Sequence, residues 1–170
     1  MENIKEKIQD DLTESVRKSN EVARTTLRML SAAILNKEKE KRYKISKEEP
    51  DLSEEELTKK SVLTDEEIVE VVFSEVKKRK EAIESFEKGK REDLVGKEKA
   101  ELEVLQAYMP EQLSEEDIRK LTKEAVEKIG AEGMKDIGKV MGEIMPKVKG
   151  KADGNLVSRI IKELLSTEAE

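Results

Sequence analysis

The sequence TDEEIVEVVFSEVKKRKEAIESFEKG, residues 64–89, has the apolar spacing of an amphipathic helix. Its apolar residues lie three, four or seven positions apart, at Ile68, Val72, Val76, Ile83 and Phe86. This period places them on one face of an α-helix, whereas a strand would alternate apolar and polar residues. Thr64 and Glu67 have the capping-box pattern that begins a helix. Gly89 is expected to end it, because glycine tolerates a left-handed backbone.

The same spacing continues in both directions and predicts an all-α fold. Two further apolar stripes lie at 4–16 and 23–34, and another helix is predicted from 91 to 108. Residues 44–63 are polar and contain a proline. They are therefore expected to form a long connection, in which a helical turn is possible after Ser53.

A change in glycine usage marks a boundary near Pro110, since two of the eight glycines precede it and six follow. Pro110 is also expected to end a helix, because the residue before a proline is pushed out of the helical region. Residues 1–109 are predicted to form an N-terminal long-helix bundle, and residues 114–170 a small C-terminal domain of three helices. The helices of that domain are expected to begin or end at Ser114, Gly130, Pro146 and Asp153.

The composition excludes several kinds of chemistry. The 170 residues include no Cys, no His and no Trp. A disulfide, a Cys or His metal site and a nucleophile activated by His are therefore impossible. No residue is assigned a catalytic role, and neither a cofactor nor a metal is expected. Because no apolar run approaches the ~20 residues that span a bilayer, the protein is expected to be cytoplasmic and to have no membrane association.

The most unusual stretch is MPKVKGKADG, residues 145–154, with three lysines within five residues. Between positions 134 and 162, seven basic and three acidic residues occur, although the whole chain has a net charge of −6. Lysines, amides beside a glycine and a helix N-terminus are groups that bind phosphate oxygens. A solvated turn without a ligand explains the same residues. The candidate RNA-binding residues are Lys139, Lys147, Lys149, Gly150, Lys151, Asp153 and Arg159.

Two glycines, Gly138 and Gly142, lie four residues apart in the helix that is predicted to end at Pro146. Each costs about 1 kcal/mol relative to alanine in a helix interior. Their shared face lets another backbone approach closely, and packing of a neighbouring helix is favoured over a sugar-phosphate chain. With only two Tyr and two Phe in the chain, a nucleic-acid contact is expected to involve RNA backbone and shape, not stacked bases.

Four segments of the chain resemble one known family. The C-terminal segments are VLQAYMPEQLSEEDI at 104–118 and IGKVMGEIMPKVKGKADGNLVSRIIKELL at 137–165. The N-terminal segments are TLRMLSAAILNKEKEKR at 26–42 and VKKRKEAIESFEKGKREDL at 76–94. They resemble the YqeY-like family, which is similar to the tail region of the B subunit of the glutamine-dependent aminoacyl-tRNA amidotransferase. The segment 44–63 is longer than the short link that this resemblance implies.

The resemblance implies a helical N-terminal domain joined to a three-helix tail that contacts tRNA and carries no catalysis. The tail residues that match the motif are Lys139, Lys147, Lys149, Gly150, Lys151 and Asp153. The leading hypothesis is a non-catalytic tRNA-binding protein, or an accessory of an amidotransferase or an aminoacyl-tRNA synthetase. The alternative is a protein–protein adaptor that binds no nucleic acid. Carbon–nitrogen ligase activity with glutamine as amido donor is rejected for the isolated chain, which lacks a Cys nucleophile and a phosphate-binding loop.

Overall fold

The computed structural model describes residues 3–167. Within that range the chain forms eight α-helices and one short 3₁₀-helix, with no β-strand. The α-helices are α1 Ile4–Arg17, α2 Glu21–Glu48, α3 Glu54–Ser61, α4 Asp65–Lys88, α5 Glu92–Gln106, α6 Glu115–Ile129, α7 Ile137–Val148 and α8 Gly154–Thr167. The 3₁₀-helix directly precedes α7 at Met134–Asp136. The all-α fold class is therefore confirmed.

The chain divides into two compact units, Met1–Met109 and Pro110–Glu170. Helices α1 to α5 belong to the first unit and α6 to α8 to the second. Each unit has a hydrophobic core of its own.

Four helices build the core of the first unit. Ile8 of α1 is buried together with Leu27 and Leu30 of α2, and Val72 of α4 and Leu105 of α5 complete the centre. Each of these side chains is at most 2% exposed. The apolar stripes of α1, α2, α4 and α5 therefore meet in one core.

All three helices of the second unit contribute to its core. Ile118 of α6, Val140 and Ile144 of α7, and Ile160 and Ile161 of α8 are completely buried. This core determines which face of α7 and α8 is left for solvent.

The predicted helix starts at Thr64 and Ser114 are confirmed, because both residues form capping boxes. Thr64 Oγ1 accepts the N–H of Glu67 over 3.3 Å, and the Glu67 carboxylate accepts the N–H of Thr64 over 2.8 Å. Ser114 and Asp117 repeat this arrangement at the start of α6. Gly130 ends α6 with φ of 65°, in the left-handed region that favours glycine.

The prediction of a long connection over residues 44–63 is wrong, although the helical turn expected after Ser53 is confirmed as the start of α3. Helix α2 continues to Glu48, and α3 forms two turns before α4 begins. The segment is polar because its helical surfaces are solvated and paired, as shown by Lys60 Nζ and the Glu49 carboxylate at 2.6 Å. Leu57, 9% exposed, supplies the buried contact of α3. A single apolar residue in eight gives too weak a period to predict a helix.

Of two predicted helix ends, the one at Gly89 is confirmed but has a different backbone geometry, and the one at Pro146 is wrong. Gly89 follows α4 with φ of −80°, and the left-handed residue is Lys90, with φ of 54°. Pro146 lies inside α7, which continues to Val148 because that side chain is buried in the second core. The proline removes the hydrogen bond to the carbonyl of Gly142, and Gly142 is exposed to water.

Candidate nucleic-acid interface

The connection between α7 and α8 brings three of the predicted lysines together. Lys147 lies in the last turn of α7, and Lys149 follows as its C-cap residue. Gly150 has φ of 72°, a left-handed conformation that glycine adopts without strain. The N–H of Lys151 then donates to the carbonyl of Val148 over 2.9 Å. The chain therefore reverses within this lysine cluster, residues 147–151, which is termed the basic turn below.

The segment that precedes α6 holds the basic turn in place. The N–H of Leu113 donates to the Lys151 carbonyl over 2.8 Å. The side-chain amide of Gln112 donates to the Gly150 carbonyl over 3.1 Å and to the Pro110 carbonyl over 2.8 Å. Two carbonyl groups of the basic turn thus accept hydrogen bonds from the segment that precedes α6. Sequence reasoning missed Gln112 and Leu113, whose one signal is their place just after Pro110.

Asp153 caps α8, as the sequence predicted. Its Oδ1 accepts the N–H of Asn155 over 2.7 Å, and its backbone carbonyl accepts the N–H of Val157 over 3.0 Å. The carboxylate therefore satisfies one amide at the helix N-terminus and places a negative charge there. The first turn of α8 is therefore less suited to an anion than the neighbouring lysines are.

The lysines of the basic turn differ in how far their charge is neutralised. Lys147 Nζ lies 3.6 Å from Glu143 Oε1, and Lys128 Nζ lies 2.7 Å from the same oxygen. The hydrogen bond from Lys128 and the charge of Lys147 hold the pKa of Glu143 below its usual value. Lys151 is exposed and makes no ion pair with any residue that the structure describes. Its charge therefore stays available to an anion.

Lys139 and Arg159 lie outside the basic turn. Lys139 is in the first turn of α7, eight residues before Lys147, which is a rise of about 12 Å along the helix. Its Nζ lies 2.8 Å from Asp136 Oδ1, and this hydrogen bond keeps the pKa of Asp136 below its usual value. Arg159 Nη2 lies 3.6 Å from Glu115 Oε2 on α6. Both cations are therefore engaged by carboxylates of their own unit.

The two glycines of α7 lie on an open face. A Cβ at Gly138 or at Gly142 would have no other atom within 4 Å. The neighbouring helix predicted from their spacing therefore does not pack there within the described chain. Met145, which is 38% exposed, continues the same face one turn further along. This face of α7 is accessible to an outside molecule.

Residues 3–167 contain neither a metal cluster nor a membrane span. In that range no group of three or more acidic side chains is placed to hold a metal ion. The helices of the same range include none with the length and apolar character needed to cross a membrane. The candidate site consists of lysines and backbone groups.

Fold and site together define an all-α protein whose C-terminal helical unit carries a lysine-rich turn. The chain belongs to the YqeY-like protein family, whose sequence pattern matches residues 49–165. The match extends from before α3 into α8 and includes the basic turn. The family predicted from the four quoted segments is confirmed.

Two relatives match the chain over different lengths. The protein named altered inheritance of mitochondria protein 41, mitochondrial, from Pyrenophora tritici-repentis is 34% identical over 165 residues, 95% of this chain and 81% of the relative. The E subunit of the glutamyl-tRNA(Gln) amidotransferase from Thermococcus gammatolerans is 35% identical over 104 residues, 59% of this chain and 16% of the relative. The amidotransferase similarity found here is thus to an E subunit, whereas the resemblance of the quoted segments pointed to the tail of the B subunit.

Proposed function

We propose that this protein is a non-catalytic tRNA-binding accessory protein that contacts RNA backbone through the basic turn. The observation that carries the proposal is the placement of Lys147, Lys149 and Lys151 in one turn whose backbone is bonded to Gln112 and Leu113. The name of one relative adds a link to tRNA, since that relative is part of a glutamyl-tRNA(Gln) amidotransferase.

The chemistry of the basic turn suits phosphate oxygens better than bases. An ammonium group is a strongly hydrated point charge that binds phosphate without reading sequence. Because the turn is already ordered by its backbone hydrogen bonds, little further ordering is needed on binding. The net charge of −6 for the whole chain repels a polyanion elsewhere on the surface. Affinity is therefore expected to be modest, confined to the turn and sensitive to salt.

The partner of such a protein is expected to be an enzyme that acts on tRNA, an amidotransferase or an aminoacyl-tRNA synthetase. Amide transfer from glutamine needs an activated nucleophile and an activated acyl group. This chain contains neither Cys nor His, and its one lysine-rich turn lacks the pattern of a phosphate-binding loop. The catalytic step is therefore assigned to the partner, and the purified chain alone is expected not to amidate a mischarged tRNA.

The proposal is tested by fluorescence anisotropy at low salt with labelled bulk tRNA and with duplex DNA of similar length. Wild-type protein is expected to bind tRNA more tightly than DNA. Combined substitution of Lys147, Lys149 and Lys151 by alanine should weaken tRNA binding roughly tenfold or more, because three phosphate contacts are lost.

A matched control removes the same charge from the same unit. The control is Lys120/Lys123/Lys135→Ala, whose residues lie outside the basic turn, and it should bind tRNA nearly as wild type does. Equal affinity for tRNA and DNA, or equal losses in the two triple variants, would contradict the proposed role of the basic turn.

A second function, that of a protein–protein adaptor, is favoured by the open face of α7. Gly138, Gly142 and the exposed Met145 form a surface that no part of the described chain covers. A tagged chain should be used to capture partners from nuclease-treated lysate and from untreated lysate. An enzyme that is retained after RNA removal supports the adaptor, whereas loss of every partner with the RNA supports tRNA binding.

A further inference from the structure

A groove of about 820 Å³ lies between α2 and α4 in the first unit. Its floor is formed by Met29, Ala32 and Ala33 of α2 and by Val71 and Ser74 of α4. Alanine and serine side chains are too short to fill the space between the two helices. Met29 is 45% exposed although it belongs to this apolar floor. The proposed RNA contact uses none of these residues.

The groove runs along two antiparallel helices. At one end Lys41 Nζ lies 2.7 Å from the Glu67 carboxylate, and at the other end the guanidinium of Arg79 lies 3.6 Å from Met29 Sδ. Its α2 side extends from Met29 to Lys44. The fifteen residue steps between them correspond to about 22 Å of helix. This length is suited to a helical partner.

The two walls of the groove carry opposite charge. The α2 wall has three lysines and one glutamate, which are Lys37, Lys41, Lys44 and Glu40. The α4 wall has three glutamates and one lysine, which are Glu67, Glu70, Glu75 and Lys78. Lys37 and Glu40, whose charged groups lie 3.0 Å apart, form an exposed ion pair within the α2 wall. Such a pair contributes little, so Lys37 can exchange its partner at small cost. The pair of Lys78 with Glu75 at 2.6 Å is partly buried.

We propose that this groove is a dimer interface and that its occupant is the α2–α4 surface of a second copy of this chain. A two-fold axis parallel to the groove places the basic wall of one copy over the acidic wall of the other. A two-fold axis across the groove would instead place like charges together. Charge complementarity therefore selects the first arrangement, an isologous interface in which the same patch is used twice.

This arrangement has a known helical architecture. The helices α2 and α4 of one copy and their equivalents in the other alternate in direction around the interface, as in an antiparallel four-helix bundle. Ala32, Ala33 and Ser74 form the parts of the floor where facing helices approach. These short side chains leave a gap between α2 and α4 in the single chain. They also allow the helices of a second copy to approach closely.

The exposed surface of α2 supplies a second observation for the same interface. Val22, Met29 and Tyr43 are 39%, 45% and 65% exposed, and they recur at seven-residue spacing along the helix. Asn36 occupies the remaining position of that series and lines the groove. A heptad seam with one polar Asn is typical of helices that pair with a defined register. Val22 extends the apolar contact beyond the Met29 end of the groove.

Sedimentation equilibrium at several protein concentrations tests the proposal. The mass of the wild-type chain is expected to rise with concentration from 19.4 kDa toward twice that value. Lys37→Glu together with Lys44→Glu should lower the association constant roughly tenfold or more, because like charges then face each other. The control Arg28→Glu/Lys39→Glu reverses the same charge on α2 outside the groove and should associate as wild type does.

A complementary variant separates loss of contact from loss of folding. Glu70→Lys/Glu75→Lys should also fail to self-associate, and a mixture of the two groove variants should recover the dimer mass, since the altered walls are again opposite in charge. Ala32→Arg, at an exposed position of the floor, should block association with the helical circular dichroism spectrum unchanged. A wild-type chain that stays monomeric at its highest soluble concentration overturns the proposal. So does an Ala32→Arg variant that dimerises normally.

Discussion

Tyr108 joins the C-terminal end of α5 to α1 in the first unit. Its side chain is 8% exposed, and its hydroxyl donates to Asp11 Oδ2 over 2.5 Å. Burial, followed by this hydrogen bond, raises the pKa of Tyr108 well above its usual range. Lys7 Nζ lies 5.6 Å from the ring centroid on the same helix as Asp11. One aromatic residue therefore holds α1 through a hydrogen bond, a cation–π contact and apolar burial.

Replacing Tyr108 by phenylalanine should lower the free energy of unfolding by about 1–2 kcal/mol, because a hydrogen bond to a charged acceptor is lost with little loss of packing. Chemical denaturation followed by circular dichroism measures the change. The control is Tyr43→Phe, whose ring is 65% exposed and whose substitution should change nothing. Equal stability of the two variants would show that the Asp11 bond does not hold α1.

Individual residues could be predicted where their neighbours in sequence set their environment. Lys147, Lys149 and Lys151 were predicted from adjacency alone, and the structure places them in one turn. The bond between Tyr108 and Asp11 spans 97 positions, so no local pattern contains it. A hydrogen bond between side chains so far apart in sequence depends on how the helices pack, so it cannot be predicted from neighbouring residues.

Among the helices, α7 has an interior glycine that lowers its stability and leaves one of its faces open. Gly142 lies in its interior, where glycine is less favourable than alanine because it loses more backbone freedom on folding. A Cβ there would meet no other atom within 4 Å. Nothing inside the described chain therefore requires glycine at this position, and the face of α7 beside it is accessible to an outside molecule.

Gly142→Ala should raise the free energy of unfolding by about 1 kcal/mol. The tRNA affinity of the same variant shows whether RNA bound at the basic turn extends along the open face of α7, in which case the affinity should fall. The matched control is Gly96→Ala in α5, where a Cβ also meets nothing within 4 Å. That variant should be stabilised to a similar extent with tRNA affinity unchanged. The measurements are thermal unfolding and fluorescence anisotropy. Unchanged affinity in Gly142→Ala would remove the α7 face from the RNA contact.

Helix boundaries were predictable where side chains make their own caps. Thr64 and Ser114 begin helices through hydrogen bonds to residues three positions on, so a four-residue pattern contains the whole signal. The end of α7 was not predictable in this way, because Val148 holds the last turn by burial in the second core despite Pro146. The start of α3 after Ser53 was predicted, but its length was not, because ion pairs and one buried leucine do not give an apolar period.

For the whole molecule, fold class and family followed from the sequence, whereas the groove between α2 and α4 did not. The fold class follows from spacing, and the family from long segments that include the basic turn. The groove exists only because α2 packs beside α4, two helices separated in the chain by α3. Opposite charge on its two walls is invisible until those helices are side by side.

The two proposals depend on different units. The RNA contact uses the basic turn of the second unit, and the dimer interface uses the α2–α4 groove of the first. The lysine variants of one proposal therefore serve as additional controls for the other. If the basic-turn variant still dimerises, or a monomeric groove variant still binds tRNA, the two functions are independent of each other.

The salt dependence of tRNA affinity shows whether lysines of the basic turn bind RNA phosphates. Phosphate contacts release counterions, so each contact adds close to one unit to the slope of log affinity against log salt. The slope for Lys147/Lys149/Lys151→Ala should be shallower than the wild-type slope by roughly two to three units, whereas Lys120/Lys123/Lys135→Ala should keep the wild-type slope. Identical slopes for wild type and the basic-turn variant would contradict the account.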